Sequence, residues 1–135
     1  MVRLKGKGGY SMNYKICDNN SNEWVLLIHG LGGSINTWKY QLEDLKEYNV
    51  IAVDLEGHGG SAFEKRKRLL TRSASDINAI LEKEGIDKVH VISLSLGTLV
   101  AMEFAYLYKD KVKSIVLAGF VLFIEGKRNY LSKIF

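Results

Sequence analysis

Ser93-Leu94-Ser95-Leu96-Gly97 is the stretch of this sequence with the clearest chemical potential. It follows a short apolar run, Val89 to Ile92, and leads into a longer one of helical period that begins at Leu99. A serine between a strand and a helix can sit on a sharp turn with its hydroxyl pushed clear of the backbone, provided the residues two places either side are small. The sequence pattern for such a nucleophile turn is G-x-S-x-G; here Ser93 takes the first position and Gly97 the last. A helix starting directly after Ser95 would add partial positive charge where an oxyanion develops. The same five residues also read as a serine-rich strand end that caps a helix, since serine is a favoured N-cap.

A second segment, His29-Gly30-Leu31-Gly32-Gly33-Ser34, follows the apolar run Trp24 to Ile28. Its glycines let a loop approach a ligand and turn amides inward. The backbone N–H groups of Leu31 and Leu96 are the expected oxyanion donors. His29, at the end of its strand, is expected to hold the loop by hydrogen bonding, and Gly30, Gly32 and Gly97 to support the loop or line the pocket. A glycine-rich loop can also cradle phosphate. However, neither the G-x-x-x-x-G-K-[ST] pattern nor G-x-G-x-x-G spacing is present, so a nucleotide-binding α/β domain rests on Gly30 to Gly33 alone.

The third segment, Asp54-Leu55-Glu56-Gly57-His58-Gly59-Gly60-Ser61, follows Val50 to Val53 and by itself reads as a polar turn with an exposed histidine. Asp54 and His58 do not make a metal site without further ligands nearby, so no metal and no cofactor is expected. A serine hydroxyl is a poor nucleophile without a positioned base. The three histidines are His29, His58 and His90, and none follows Ser95. His90 lies inside the strand leading to Ser95, and Asp110 and Glu125 have no histidine to orient.

Stepping out from these residues, short apolar runs alternate with segments of helical period, the pattern of β-α units stacked into a parallel sheet. Tyr10 to Cys17, Trp24 to Ile28, Val50 to Val53, Val89 to Ile92 and Ser114 to Ala118 read as strands. Ile35, Trp38, Leu42 and Leu45 predict a helix, as do Leu70, Ala74, Ile77 and Leu81, closed by Gly85; a third helix runs from Leu99 to Tyr108. Crossovers between parallel strands are right-handed in nearly all cases. Open sheets of this kind carry their chemistry at the carboxyl ends of the strands, and the three segments above stand at such ends.

The chain has 135 residues, one domain by length, with 47% hydrophobic and 25% charged residues. No stretch reaches the ~20 unbroken apolar residues of a membrane helix, so no integral membrane segment is expected. The lone cysteine, Cys17, excludes an intrachain disulfide and fits a reducing, cytoplasmic setting. Net charge is +4. The basic run Lys65 to Arg68 lacks interleaved aromatics and reads as a solvated face, with no nucleic-acid partner expected. Proline is absent, so glycine must punctuate the loops.

Taken together and in order, the three segments resemble the α/β-hydrolase superfamily over Tyr14 to Ala118, most nearly its esterase, lipase and carbon–carbon-bond hydrolase branch. That branch carries His-Gly-x-Gly-Gly-Ser with a tryptophan soon after (here Trp38), then Asp-x-x-Gly-His-Gly-x-Ser and a serine elbow. The resemblance implies an α/β fold, a mostly parallel sheet with helices on both faces. It implies Ser95 as nucleophile, Leu31 and Leu96 as the oxyanion hole, and His29, Gly30 and the Asp54 to Ser61 turn as structural or pocket-lining. The activity it implies is hydrolysis of a small-molecule ester, thioester or related carbonyl compound through an acyl-Ser95 intermediate. Three departures stand out: Ser93 replaces glycine, Glu56 stands where arginine or proline is usual and is expected to alter the pocket's charge, and Lys109 replaces a proline.

In the family the triad runs serine, then acid, then histidine. The resemblance therefore implies an incomplete α/β-hydrolase fold. Residues 12–135 would be the amino-terminal part, ending at the start of the lid region within Phe120 to Phe135, and residues 1–11 an atypical, flexible extension. By itself the chain is expected to be inactive, and a catalytically inactive fragment or small-ligand-binding module is the alternative reading. The strand ending at Ala118 would expose an apolar edge, so self-association or a complementing partner is expected.

Overall fold

Six short runs pair into one sheet, and the most evenly hydrophobic of them, Trp24–Ile28 and Val50 to Val53, lie at its centre and are covered on both sides. The computed structural model describes residues 2–3, 12–63 and 68–120. Its strands are β1 (Val2–Arg3), β2 (Tyr14–Cys17), β3 (Trp24–Ile28), β4 (Asn49–Val53), β5 (Val89–Leu94) and β6 (Val112–Ala118), in the order β1-β2-β4-β3-β5-β6. β4, β3, β5 and β6 are parallel, while β2 and β1 add antiparallel pairs at one side. Register brings the carboxyl ends of the parallel strands level: Ile28 faces Val53 and Ser93, and Leu94 faces Ala118.

Two helices lie on one face, α2 (Leu69–Lys83) and α3 (Leu96–Leu107). Ala74, Ile77 and Leu81 of α2 and Val100, Ala101 and Phe104 of α3 are buried there against Leu26, Ile28, Ile51 and Val91. Tyr14 is buried in the same cluster and donates its hydroxyl to Glu84 just beyond α2 (2.6 Å). Burial and that carboxylate push the phenol well above its ordinary value.

On the other face Ile35, Trp38, Leu42 and Leu45 pack over Val25, Leu27, Val50 and Ala52. The single helix predicted through these four residues is broken into a 3₁₀ turn, Ile35–Trp38, and the four-residue α1 (Gln41–Asp44). The reason is local. Ser34 and Thr37 form a capping box across the turn, and the Ile35 N–H is held by the Asp54 carboxylate (2.7 Å). Ile35, Asn36 and Thr37 are also weak helix formers. The apolar spacing survives because the face to be covered is the same.

At the opposite edge of the sheet from Ser95, Glu23 ties three strands together. Its carboxylate accepts from Lys113 Nζ (2.7 and 2.8 Å) and meets His90 Nε2 (3.1 Å), while His90 Nδ1 meets the Ser114 hydroxyl (2.7 Å). Of the amino-terminal extension, Val2 and Arg3 lie antiparallel to Ile16 and Lys15; residues 4–11 lie outside the described residues, as do Lys65 to Lys67 and residues 121–135.

Candidate active site

Three strand ends converge at the carboxyl edge of the sheet. β5 delivers Ser95 with φ 49° and ψ −115°. A non-glycine residue at positive φ costs of order 1–3 kcal/mol and persists only when its surroundings enforce it. The enforcement is visible: the Ser95 N–H donates to the Ala118 carbonyl (2.9 Å), and its own carbonyl accepts from the Thr98 N–H (2.9 Å) and hydroxyl (2.6 Å). Ser95 is exposed, and its side chain makes no capping bond to α3. That separates it from an ordinary serine N-cap, whose hydroxyl would accept from the helix.

The small residues around Ser95 have separate jobs. Ser93 is buried and donates its hydroxyl to the Val116 carbonyl (2.8 Å), so a serine fits where glycine is usual because β6 satisfies it. Gly97 starts α3 against the end of β3: a Cβ there would stand 2.4 Å from the Ile28 carbonyl oxygen and 2.5 Å from that of His29. Gly30 lies against the elbow, where a Cβ would come within 3.1 Å of the Ser95 Cβ. The glycine loop and the elbow are therefore in contact, as the candidate site requires. Among the described residues no acceptor takes the N–H of Leu31 or of Leu96. The Leu31 side chain is exposed and that of Leu96 buried.

The loop is held from behind by two histidines. His29 is fully buried, and its Nε2 accepts from the Leu55 N–H (2.9 Å), which leaves the proton on Nδ1 to donate to the Gly30 carbonyl (2.6 Å). Burial, aided by the neighbouring His58, holds its pKa below the ordinary 6.5, against the opposing pull of Gly30 and Asp54. His58 accepts from the Gly32 N–H at Nε2 (3.0 Å) and meets the Glu56 carbonyl at Nδ1 (2.9 Å). Gly32 thus spends its amide on His58. His90 lies five residues before Ser95, about 16 Å away along the strand.

Asp54 does more than a polar turn residue. It is buried, its Oδ1 accepts from the Ile35 N–H, and its Oδ2 accepts from Asn13 Nδ2 (2.6 Å) and the Gly60 N–H (2.8 Å). Gly59 is required beside it, because a Cβ would come within 2.3 Å of Oδ2. Asn13 and Ser61 complete the tie, Ser61 donating to the Asp54 carbonyl (2.7 Å) and accepting from the Asn13 N–H (2.7 Å). Sequence reasoning missed this role for Asn13; the clustering of Asp54, Gly59, Gly60 and Ser61 was the available signal. Glu56, expected to change the pocket's charge, is paired with Arg72 of α2. Among the described residues no group of three or more His, Cys, Asp or Glu could hold a metal, and no helix is long and apolar enough to cross a membrane.

His29 makes stability depend on pH. Kept neutral in the fold, it binds fewer protons than in the unfolded chain below pH 6.5, so stability should fall as pH drops through that value. Thermal melts between pH 7.5 and pH 5 should show this slope, flattened in His29→Gln; an equal slope in both would remove His29 as its source.

The profile of the α/β hydrolase fold family matches residues 23–127. The chain is 35% identical over 98 residues to the dihydrolipoyllysine-residue acetyltransferase component of the acetoin cleaving system of Cupriavidus necator, covering 72% of this chain and 26% of that one. It is 30% identical over 122 residues to epoxide hydrolase 4 of Homo sapiens, covering 88% and 33%. Among solved structures, a carboxylesterase study of Nitrososphaera gargenis gives a similar chain with a TM-score of 0.77 at 27% identity, covering 86% of this chain and 44% of that one. The chain therefore spans between a quarter and a half of the length of these relatives.

Proposed function

The chain belongs to the α/β-hydrolase family, and on that premise we propose that Ser95 is the nucleophile of an acyl-transfer reaction on a small-molecule ester, thioester or related carbonyl compound. The observation that carries the reading is the Ser95 turn: a strained backbone, a hydroxyl not used for capping, and a helix beginning at the next residue. Ser95 Oγ attacks the carbonyl carbon and gives its proton to a base. The oxyanion is met by the Leu31 and Leu96 N–H groups in a site organised before substrate arrives. Collapse expels the leaving group, which takes the proton, and water then hydrolyses acyl-Ser95 by the same route. Relatives named as an acetyltransferase component and carboxylesterases support acyl and ester chemistry. The lone Cys17 supports a cytoplasmic setting.

The reading needs a base other than the three histidines in these 135 residues. His29 and His58 each have both ring nitrogens engaged, and His90 is bound to Glu23 and Ser114 at the far edge. This favours a second reading for the 135 residues alone, carbonyl-ligand binding without turnover. Reaction with a p-nitrophenyl ester, followed by intact-mass and peptide mapping, tests the mechanism. A burst of nitrophenol with one acyl group on the Ser95 peptide is expected wherever the base is present; turnover with no adduct at Ser95 under acid quench would contradict it.

The face of β6 supports the expected association. Val116 is 52% and Ile115 37% exposed, and among the described residues β6 pairs only with β5. Such edges recruit further strands. Sedimentation of the 135-residue chain at micromolar concentration should show dimers or larger species, and Val116→Lys should reduce them; a clean monomer in the unaltered chain would contradict this.

A further inference from the structure

We propose that His58 is a positioning residue for the oxyanion loop and that it acts only as the neutral imidazole; this deepens the acyl-Ser95 reading and rests on it. Gly32 has φ +77°, and nothing lies within 4 Å of where its Cβ would be, so packing does not hold it. What does hold it is the bond from its N–H to His58 Nε2 (3.0 Å). Leu31 stands between Gly32 and Gly30, and the Gly30 carbonyl is in turn fixed by the His29 ring and the Gly33 N–H (3.0 Å). The peptide bearing the Leu31 N–H is thus anchored behind by His29 and ahead by His58.

The His58 anchor has a single working protonation state. Because Nε2 accepts, the proton resides on Nδ1 and is donated to the Glu56 carbonyl (2.9 Å). An imidazolium carries N–H on both nitrogens, so Nε2 would face the Gly32 N–H donor to donor and the bond would be lost. Facing His58 are the His29 ring from the end of β3, with centroids 5.0 Å apart, and Asp54 and Glu56 on its own turn, with Glu56 paired to Arg72 of α2. Asp54 is taken up by Asn13, Ile35 and Gly60. Nothing but the imidazole lone pair is placed to receive the Gly32 amide among the described residues.

Amide NMR of the ¹⁵N-labelled chain and phosphonylation of Ser95 by a fluorophosphonate test this together. In the unaltered chain the His58 ring nitrogens should report the tautomer with its proton on Nδ1, and the Gly32 amide resonance should shift in His58→Ala but keep its place in His58→Gln, whose side-chain carbonyl still accepts. In the longest form of the protein that labels, His58→Ala should slow phosphonylation about 10- to 100-fold, since a misplaced oxyanion donor costs that order. His58→Gln should restore most of the rate. A Gly32 amide indifferent to His58 would overturn the anchor. An anchor confirmed by NMR with an unchanged rate in His58→Ala would overturn the positioning role. Absence of labelling at Ser95 in every form would overturn the acyl-enzyme reading instead, and the NMR result separates that failure from the first.

Discussion

Ser95→Ala is expected to lower ester hydrolysis by about 10⁴-fold or more in any form of the protein that carries a base for it. The loss should fall on kcat, with KM little changed, because alanine keeps the Cβ and the backbone of the elbow while removing the attacking atom. Stability should barely move. No partner among the described residues bonds the Ser95 hydroxyl, and the bonds that hold the turn all run through its backbone N–H and carbonyl. Steady-state kinetics beside matched thermal melts check both halves of this expectation. A variant that melted far below the parent would mean that the hydroxyl is structural, and one that kept its rate would remove Ser95 from the mechanism.

The second large effect is expected at Gly97. An added methyl would meet two backbone carbonyl oxygens, at 2.4 and 2.5 Å, and neither can swing aside as a flexible side chain would. Either α3 lifts from β3 or the end of β3 bends away. Overpacking of this kind costs about 3 kcal/mol, a fall in Tm of roughly 10 °C for a chain of this size. Both escapes also separate the two oxyanion donors, because Leu96 opens α3 and Leu31 follows β3 by three residues. Gly97→Ala should therefore lose reactivity at Ser95 even below its melting temperature. Normal labelling together with a lowered Tm would show that the elbow tolerates a moved helix. By contrast Gly85, although at φ +69°, has open space around it, and its replacement should cost only backbone strain.

Most of the sheet was legible because each buried strand needs apolar residues on both faces, which leaves continuous runs such as Trp24 to Ile28 and Val50 to Val53. Strand ends were legible for the same reason: the run stops where chemistry begins, at His29, Asp54 and the Ser93 to Ser95 turn. Periodicity failed at Ile35 to Leu45. Spacing reports which face is covered, not whether the backbone stays helical, and a bond from Asp54 nineteen residues away shaped the turn. Long-range polar ties had no local signature either. Nothing near Glu56 announces Arg72, and nothing near Asn13 announces Asp54, because such pairs exist only once the fold has brought them together. The role of His29 was foreseeable from its place at a strand end. That of His58 was not, since its partner is a backbone amide in another loop.

The most direct measurement is fluorophosphonate labelling with peptide mapping, run on this chain, on Ser95→Ala, and on a longer form of the protein. A single adduct on the Ser95 peptide of the longer form, absent from Ser95→Ala and weak in the 135-residue chain, is the predicted result. It would place an activated nucleophile at the elbow and its base outside His29, His58 and His90. An adduct at another residue, or none in any form, would contradict the assignment of Ser95 as nucleophile.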